Sequence, residues 1–408
     1  MIRLNPDQPT ADSTTNQAST SQASTSQSSA IQNPATQSNQ NSTVKVLHLI
    51  NGEHFAGAER VQDLLAMALP QFGYEVGFAC VKADRFPEVR RSESPLVELK
   101  MRNKFDVLCY RQVAKLIRKE NYQIIHAHTP RSLLIGSLAS RATGCPLVYH
   151  VHSPTSRDSN RGIANWVNAN VETWSLKRVD CMICVSNSLM NYMASIGHPA
   201  VKLAVVTNGV ATIDDLPQRS APEADATWTL GTMALFRPRK GVEVLLEALA
   251  ILKSQGVKVH LRAVGRFETP EYEAEVMQFV SKLGIEDMIT WTGFQTNVNE
   301  QIRMMDLFIL PSLYGEGLPM VVLESMANAV PVVASNVEGI PEAVRDGVDG
   351  LIFEPGNAED LAKKVGSMVG DSDGWSRMSK SAYDRQRSSL SDISMAEGTS
   401  EIYHSLLN

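Results

Sequence analysis

Short apolar runs alternate with helical segments twice along this chain, and the alternation breaks once, around Val210 to Thr227. Parallel strands need a crossover between them, usually a helix, so this pattern restricts the chain to parallel sheets covered on both faces. The first series of strand candidates is Val44 to Ile50, Glu75 to Val81, Gln123 to His128, Leu147 to Val151, Val179 to Val185 and Leu203 to Thr207. The second is Trp228 to Leu235, Val257 to Val264, Ile289 to Trp291, Leu307 to Leu310, Val330 to Ala334 and Leu351 to Phe353. The expected fold class is α/β, with two doubly wound, Rossmann-like domains over 44–215 and 216–385 facing a cleft. A helical segment over 386–408 is expected to pack back on the first domain. Residues 1–43 are Ser, Thr, Gln and Asn with little apolar bulk, and read as a disordered tail that cannot offset its ordering entropy.

A net charge of −6 argues against a dedicated nucleic-acid binder. Five cysteines, odd in number and sparse, suit a reducing compartment. Without an apolar span or an export signal, the expected location is cytoplasmic. Basic residues crowd the region from Lys82 to Lys119, including Arg90, Arg91, Arg102, Lys104, Arg111, Lys115 and Arg118. They suit either anionic lipid at the inner membrane face, a phosphorylated acceptor, or a solvated surface.

In open α/β sheets ligands bind at the carboxyl ends of the strands, so residues there carry the functional reading. Leu307 to Leu310 is followed by the Gly-bearing loop to Gly317, and Pro319 then opens a helix. Such a helix N-terminus attracts anions, while Glu316 and Glu324 suit hydroxyls. Both glutamates are also compatible with solvated surface positions, but the apolar residues around Glu324 make an unpartnered burial expensive. Arg237, Arg239 and Lys240 follow the first strand of the second domain and suit a diphosphate; a solvated turn is the plain alternative. Gly265 and Arg266 end the next strand, and Gly57 opens the first helix, where backbone could approach a sugar or phosphate.

The pairs His126/His128 and His150/His152 stand at strand ends, two residues apart. A four-histidine zinc site competes there with a single histidine, His152, hydrogen-bonded to a substrate hydroxyl. Cys181 and Cys184 have CxxC spacing within an apolar run and read as strand residues. Asp371 and Asp373 read as a turn.

From about Val44 onward the chain resembles the GT-B-fold retaining glycosyltransferases of family 4 (glycosyl transferases group 1). The shared features, in order, are Gly57 to Glu59, His152, Val185-Ser186, Asn208-Gly209-Val210, Lys240-Gly241, and Glu316 with Gly317, Pro319 and Glu324. The resemblance implies that Glu324 binds the donor ribose, Glu316 the donor sugar, Lys240 the diphosphate and His152 a sugar hydroxyl. Gly317 and Leu318 would offer backbone to sugar and phosphate, and Gly57 would lie near the phosphate. It implies a metal-independent transfer with no cofactor besides the nucleotide diphosphate sugar. The acceptor would be a hydroxyl of a glycan, lipid-linked or small molecule, as in polysaccharide biosynthesis. A nucleotide-sugar-binding protein with weak or no catalysis and a nucleotide-sugar epimerase are the alternatives. Leu235 stands where the family usually has Arg, Ala211 where it often has Asp, and Arg266 where it commonly has an acid.

Overall fold

Strand β1, Val44–Ile50, lies buried at the middle of a parallel sheet in the computed structural model. The structure describes residues 43–53, 55, 57–101, 103, 106–153, 173–215, 218–223 and 225–408. The expected N-terminal tail, Ala56 of the Gly57 motif, Arg102 and Lys104 fall outside them.

Among the described residues the first sheet has the order β3-β2-β1-β4-β5-β6-β7. These strands are Tyr74–Cys80 (β2), Leu96–Glu98 (β3), Ile124–Ala127 (β4), Leu147–Val151 (β5), Cys181–Cys184 (β6) and Leu203–Val205 (β7). Every pairing is parallel. The second sheet has the order β10-β9-β8-β11-β12-β13, also parallel. Its strands are Trp228–Phe236 (β8), Val259–Phe267 (β9), Ile289–Gly293 (β10), Leu307–Leu310 (β11), Val332–Ser335 (β12) and Gly350–Phe353 (β13). Strand order reverses at β1/β4 in one sheet and at β8/β11 in the other, the crevices where doubly wound sheets hold ligands.

Helix signals in the sequence act where they stand. The helix Pro270–Leu283 starts at Thr269, whose side chain accepts from Tyr272 N at 3.2 Å, and ends at Gly284 in the left-handed region. Strand β9 runs past Gly265 to Phe267, further than the sequence suggests, and Arg266 is exposed on it. Asp371 is a helix cap rather than a turn. Its carboxylate accepts from Gly374 N at 2.8 Å and opens the helix Ser372–Ser389. That helix is too rich in serine and charge to show an apolar stripe, and it is anchored by Trp375 and Ala382, both fully buried.

One apolar cluster runs from the first sheet through Leu318, Met320 and Val322 into one face of the second sheet. A separate cluster fills the opposite face of the second sheet. The chain then returns. Val210 forms a bridge with Ser391, and the last helix, Asp392–Leu407, packs on the helix Gly57–Ala68 of the first lobe. This return buries Tyr403 beneath the first sheet's histidines.

The CxxC cysteines are free strand residues, and burial pushes the Cys181 thiol up to about 11 and Cys184 up to about 12. Thiols held protonated in this way are poor nucleophiles and poor metal ligands. No helix among the described residues is long and apolar enough to cross a membrane.

Candidate active site

The loops leaving β5, β8, β11 and β12 meet between the two lobes. From β8 the chain enters a short turn, Pro238–Lys240, and Gly241 follows in the left-handed region at φ 62°. A Cβ on Gly241 would sit 2.2 Å from the Pro311 carbonyl, so glycine lets this turn lie directly on the β11 loop. Lys240 Nζ thereby reaches Glu316 Oε1 in a hydrogen-bonded ion pair. Ser312 Oγ donates to the same oxygen at 2.6 Å. Arg239 stands 3.8 Å from it and also donates to the Tyr314 and Gly315 carbonyls at 3.3 and 3.1 Å.

Glu316 is 6% exposed and Glu324 is 4% exposed, which removes the solvated-surface alternative for both. Glu324 lies in the helix Met320–Ala327, whose N-terminus carries no side-chain cap and leaves its first N–H groups available to an anion. Glu324 Oε1 pairs with Arg60 from the first lobe, while Oε2 is buried and without a partner among the described residues. Burial, with Arg91 nearby, lowers the Arg60 guanidinium to about 10, so it still carries charge at neutral pH.

The lobes touch at backbone level. A Cβ on Gly317 would come within 2.1 Å of the His152 carbonyl, so only glycine permits this approach. Asn208 Nδ2 donates to the Leu318 carbonyl at 2.9 Å. Glu342 accepts from Asn187 N and Ser188 N, both at 2.7 Å, at the start of the helix Asn187–Ser195. A cavity of about 120 Å³ opens here, lined by Ser186, Ser188, Leu189, Tyr192, Glu316, Gly317 and Glu338.

The structure therefore brings together Lys240, Arg239, Glu316, Gly317 and His152. Leu318 and Glu324 follow on the same loop and helix, and Gly57 lies 3.8 Å, measured from an added Cβ, from Met320. Two of the expected donor residues make other contacts. Arg237 pairs with Glu268 at 3.5 Å, and Gly265 faces Ala234 within the β8/β9 pairing. Leu235 is partly exposed at the end of β8, and it is Arg239, not Arg237, that supplies a guanidinium beside Glu316.

Sequence reasoning missed Arg60, Ser312, Glu338 and Glu342. Glu338 accepts from Glu316 N and has a left-handed backbone at φ 44°, uncommon outside glycine. Its only sequence signal is its place in the loop after β12, next to Gly339.

The histidine pairs form one array with His48, in which His152 is half-buried and the other four are buried. One ring nitrogen each of His48, His126 and His128 lies within 4.8 Å of the others, and the same holds for His128, His150 and His152. In the second group the ring planes are nearly parallel and unsuited to a shared cation, whereas in the first His48 stands at 64° to His126 and its ring nitrogens are engaged by Tyr403 and His128. His150 and His152 stack at 4.4 Å with 5° between planes, and His126 and His150 at 5.4 Å with 7°. In-plane lone pairs of stacked rings run parallel instead of converging on one metal.

Comparison with known proteins identifies the family. Residues 55–213 match the model described as Glycosyltransferase Family 4, and 217–385 match Glycosyl transferases group 1. Alpha-maltose-1-phosphate synthase of Mycolicibacterium smegmatis is 31% identical over 311 residues, 69% of this chain and 78% of that protein. Phosphatidyl-myo-inositol mannosyltransferase of Mycobacterium leprae is 27% identical over 274 residues, 66% of this chain and 70% of the other. The crystal structure of Anabaena HepE in complex with UDP superimposes with a TM-score of 0.76 at 21% identity, covering 89% of this chain and 100% of that one, and shows the shared GT-B fold. The chain thus belongs to glycosyltransferase family 4, and is a retaining glycosyltransferase that draws on a nucleotide-sugar donor.

Proposed function

We propose that this protein moves a sugar from a nucleotide diphosphate sugar to a hydroxyl of a glycan, lipid-linked or small-molecule acceptor, without a resident metal. The observation that carries this reading is the buried grouping of Lys240, Arg239 and Ser312 around Glu316, with Glu324 in the second turn of the helix that follows. In this reading Lys240, Arg239 and the uncapped helix start receive the diphosphate. Glu324 accepts from the ribose hydroxyls and Glu316 from the sugar hydroxyls. Gly317 and Leu318 offer backbone between them, and Gly57 closes the phosphate side.

The difficult step is departure of the diphosphate as the sugar gains oxocarbenium character. Fixed cations and N–H dipoles stabilise the leaving charge, and each such donor is worth roughly 3–4 kcal/mol in a water-poor site. The Lys240–Glu316 pair then has a resting function. Without donor, each charge neutralises the other; with donor, Lys240 turns to the phosphate and Glu316 to the sugar. The leaving phosphate oxygen takes the acceptor proton on the same face, which keeps the anomeric configuration.

HepE was crystallised with UDP and with UDP-glucose, so uridine diphosphate sugars are the first donors to test. The experiment is a melting-temperature panel of uridine, guanosine, adenosine and thymidine diphosphate sugars, followed by turnover of the best donor after exhaustive chelation. One donor class is expected to raise the melting point, by about 3 kcal/mol of stabilisation at a hundredfold excess over its Kd. Turnover is expected to survive chelation. A loss restored by zinc or manganese would contradict the metal-independent reading.

A further inference from the structure

A continuous hydrogen-bonded chain runs from the C-terminal helix to the cleft. Tyr403 Oη lies 2.6 Å from His126 Nδ1 and 3.1 Å from His48 Nε2. His48 Nδ1 lies 3.2 Å from His128 Nε2, and His128 Nδ1 lies 3.3 Å from His152 Nε2. We propose that Tyr403, acting through His48 and His128, fixes His152 as the tautomer with its proton on Nδ1. Tyr403, His48 and His128 are positioning residues, and the value of the arrangement to catalysis rests on the proposed donor site and on His152 facing a donor-sugar hydroxyl there, as the family resemblance implies.

A neutral imidazole has one N–H and one bare nitrogen, so the links through His48 and His128 must run in the same sense. Burial keeps the rings neutral: His48 is lowered to about 3 and His152 to about 4, and His126 and His128 lie well below the ordinary value. If Tyr403 accepted from both His126 and His48, its own buried O–H would be left without an acceptor among the described contacts. With that hydroxyl passing its proton on, two senses satisfy all the links, and His126 decides between them. Its Nε2 is fully buried and without a partner among the described residues. If Tyr403 donated to His126 Nδ1, an N–H would be left orphaned at Nε2. If His126 Nδ1 donates to Tyr403 instead, Nε2 is a bare acceptor, the less unfavourable orphan. The hydroxyl of Tyr403 then donates to His48 Nε2, His48 Nδ1–H to His128 Nε2, and His128 Nδ1–H to His152 Nε2. The remaining proton of His152 stands on Nδ1, as a donor to a sugar hydroxyl or phosphate oxygen and not as a base.

The sequence carries all five residues, but only the return of the last helix across the first lobe places Tyr403 under them. A second bond of that helix, Tyr74 Oη donating to the Ser400 carbonyl at 3.2 Å, contributes stability without joining the chain, and provides a control.

The test is long-range proton–nitrogen correlation on the full-length protein labelled at histidine nitrogens, with His152→Asn identifying the His152 signals. The expected wild-type result is a single neutral tautomer with the proton on Nδ1. Tyr403→Phe is expected to give mixed tautomers at His152 and to lower kcat roughly tenfold, with donor KM little changed. Tyr74→Phe is expected to lower the melting point while leaving the tautomer and kcat as in the wild type. A wild-type proton on Nε2, an unaltered tautomer in Tyr403→Phe, or stoichiometric zinc on the histidines of the purified protein would overturn the proposal. The wild-type spectrum decides even if Tyr403→Phe fails to fold. A tautomer that changes in Tyr403→Phe with kcat unaltered would support the chain and remove His152 from the donor site.

Discussion

Lys240→Ala is expected to lower turnover about 100- to 1000-fold, the range seen when one preorganised donor to a developing negative charge is removed. The substitution leaves Glu316 buried, but not bare: Ser312 still donates to it at 2.6 Å and Arg239 stands at 3.8 Å. The fold therefore has local replacements for the lost ion pair, and the melting point is expected to change little. Donor KM is expected to rise less than kcat falls, because charge on the diphosphate grows as the sugar leaves. Steady-state kinetics on the variant separate the two, and kcat near the wild-type value would contradict the leaving-group assignment.

The second large effect is on stability in acid. His48 is buried and its folded-state pKa is lowered from 6.5 to about 3 by that burial. Above pH 6.5 neither the folded nor the unfolded form binds this proton, and the group contributes nothing to the pH dependence. Between about 6.5 and 3 the unfolded chain binds a proton that the folded form refuses, so stability falls as the pH falls. At pH 5 this costs about 2 kcal/mol for His48 alone. His126, His128, His150 and His152 are shifted in the same direction, with burial as the leading cause, and neighbouring imidazoles adding to it at the first three. No carboxylate bonds to this array among the described contacts; its partners are one another and Tyr403. Against a typical total of about 5–15 kcal/mol, the sum is a large fraction of the stability. Urea midpoints at pH 7 and pH 5 check this. A clear fall at pH 5 is expected, and an unchanged midpoint would contradict the buried, neutral state of the array.

Much of this fold was legible because its strands are nearly continuous apolar runs. Leu307–Leu310 is fully buried and sits where the sequence puts it, and Pro270–Leu283 carries its start and stop signals on either side. The helix Ser372–Ser389 was not legible, because serine and charged residues mask the stripe and packing supplies what periodicity lacks. The strand β3, Leu96–Glu98, is too short to stand out from its surroundings. In the candidate site, Glu316 and Lys240 announce themselves by their place after strand ends, and Glu324 by its apolar neighbours in the helix that follows. Arg60 does not, since its partner Glu324 is far away in sequence and meets it only when the lobes pack. The same holds for Tyr403, whose hydroxyl reaches His48 across most of the chain. Sequence reveals positions within an element; it does not reveal which elements a returning chain brings together.

The measurement that bears most directly on the donor site is calorimetric titration of the preferred nucleotide sugar into the wild-type protein and into Glu324→Ala. Glu324 Oε2 is buried and without a partner among the described residues, and Oε1 is held by Arg60, so a ribose hydroxyl has one acceptor waiting for it. The expected result is saturable binding to the wild type, weakened about tenfold or more in the variant, as for loss of hydrogen bonds to a charged group. Equal donor affinity in the two proteins would contradict a nucleotide-sugar site built on Lys240, Glu316 and Glu324.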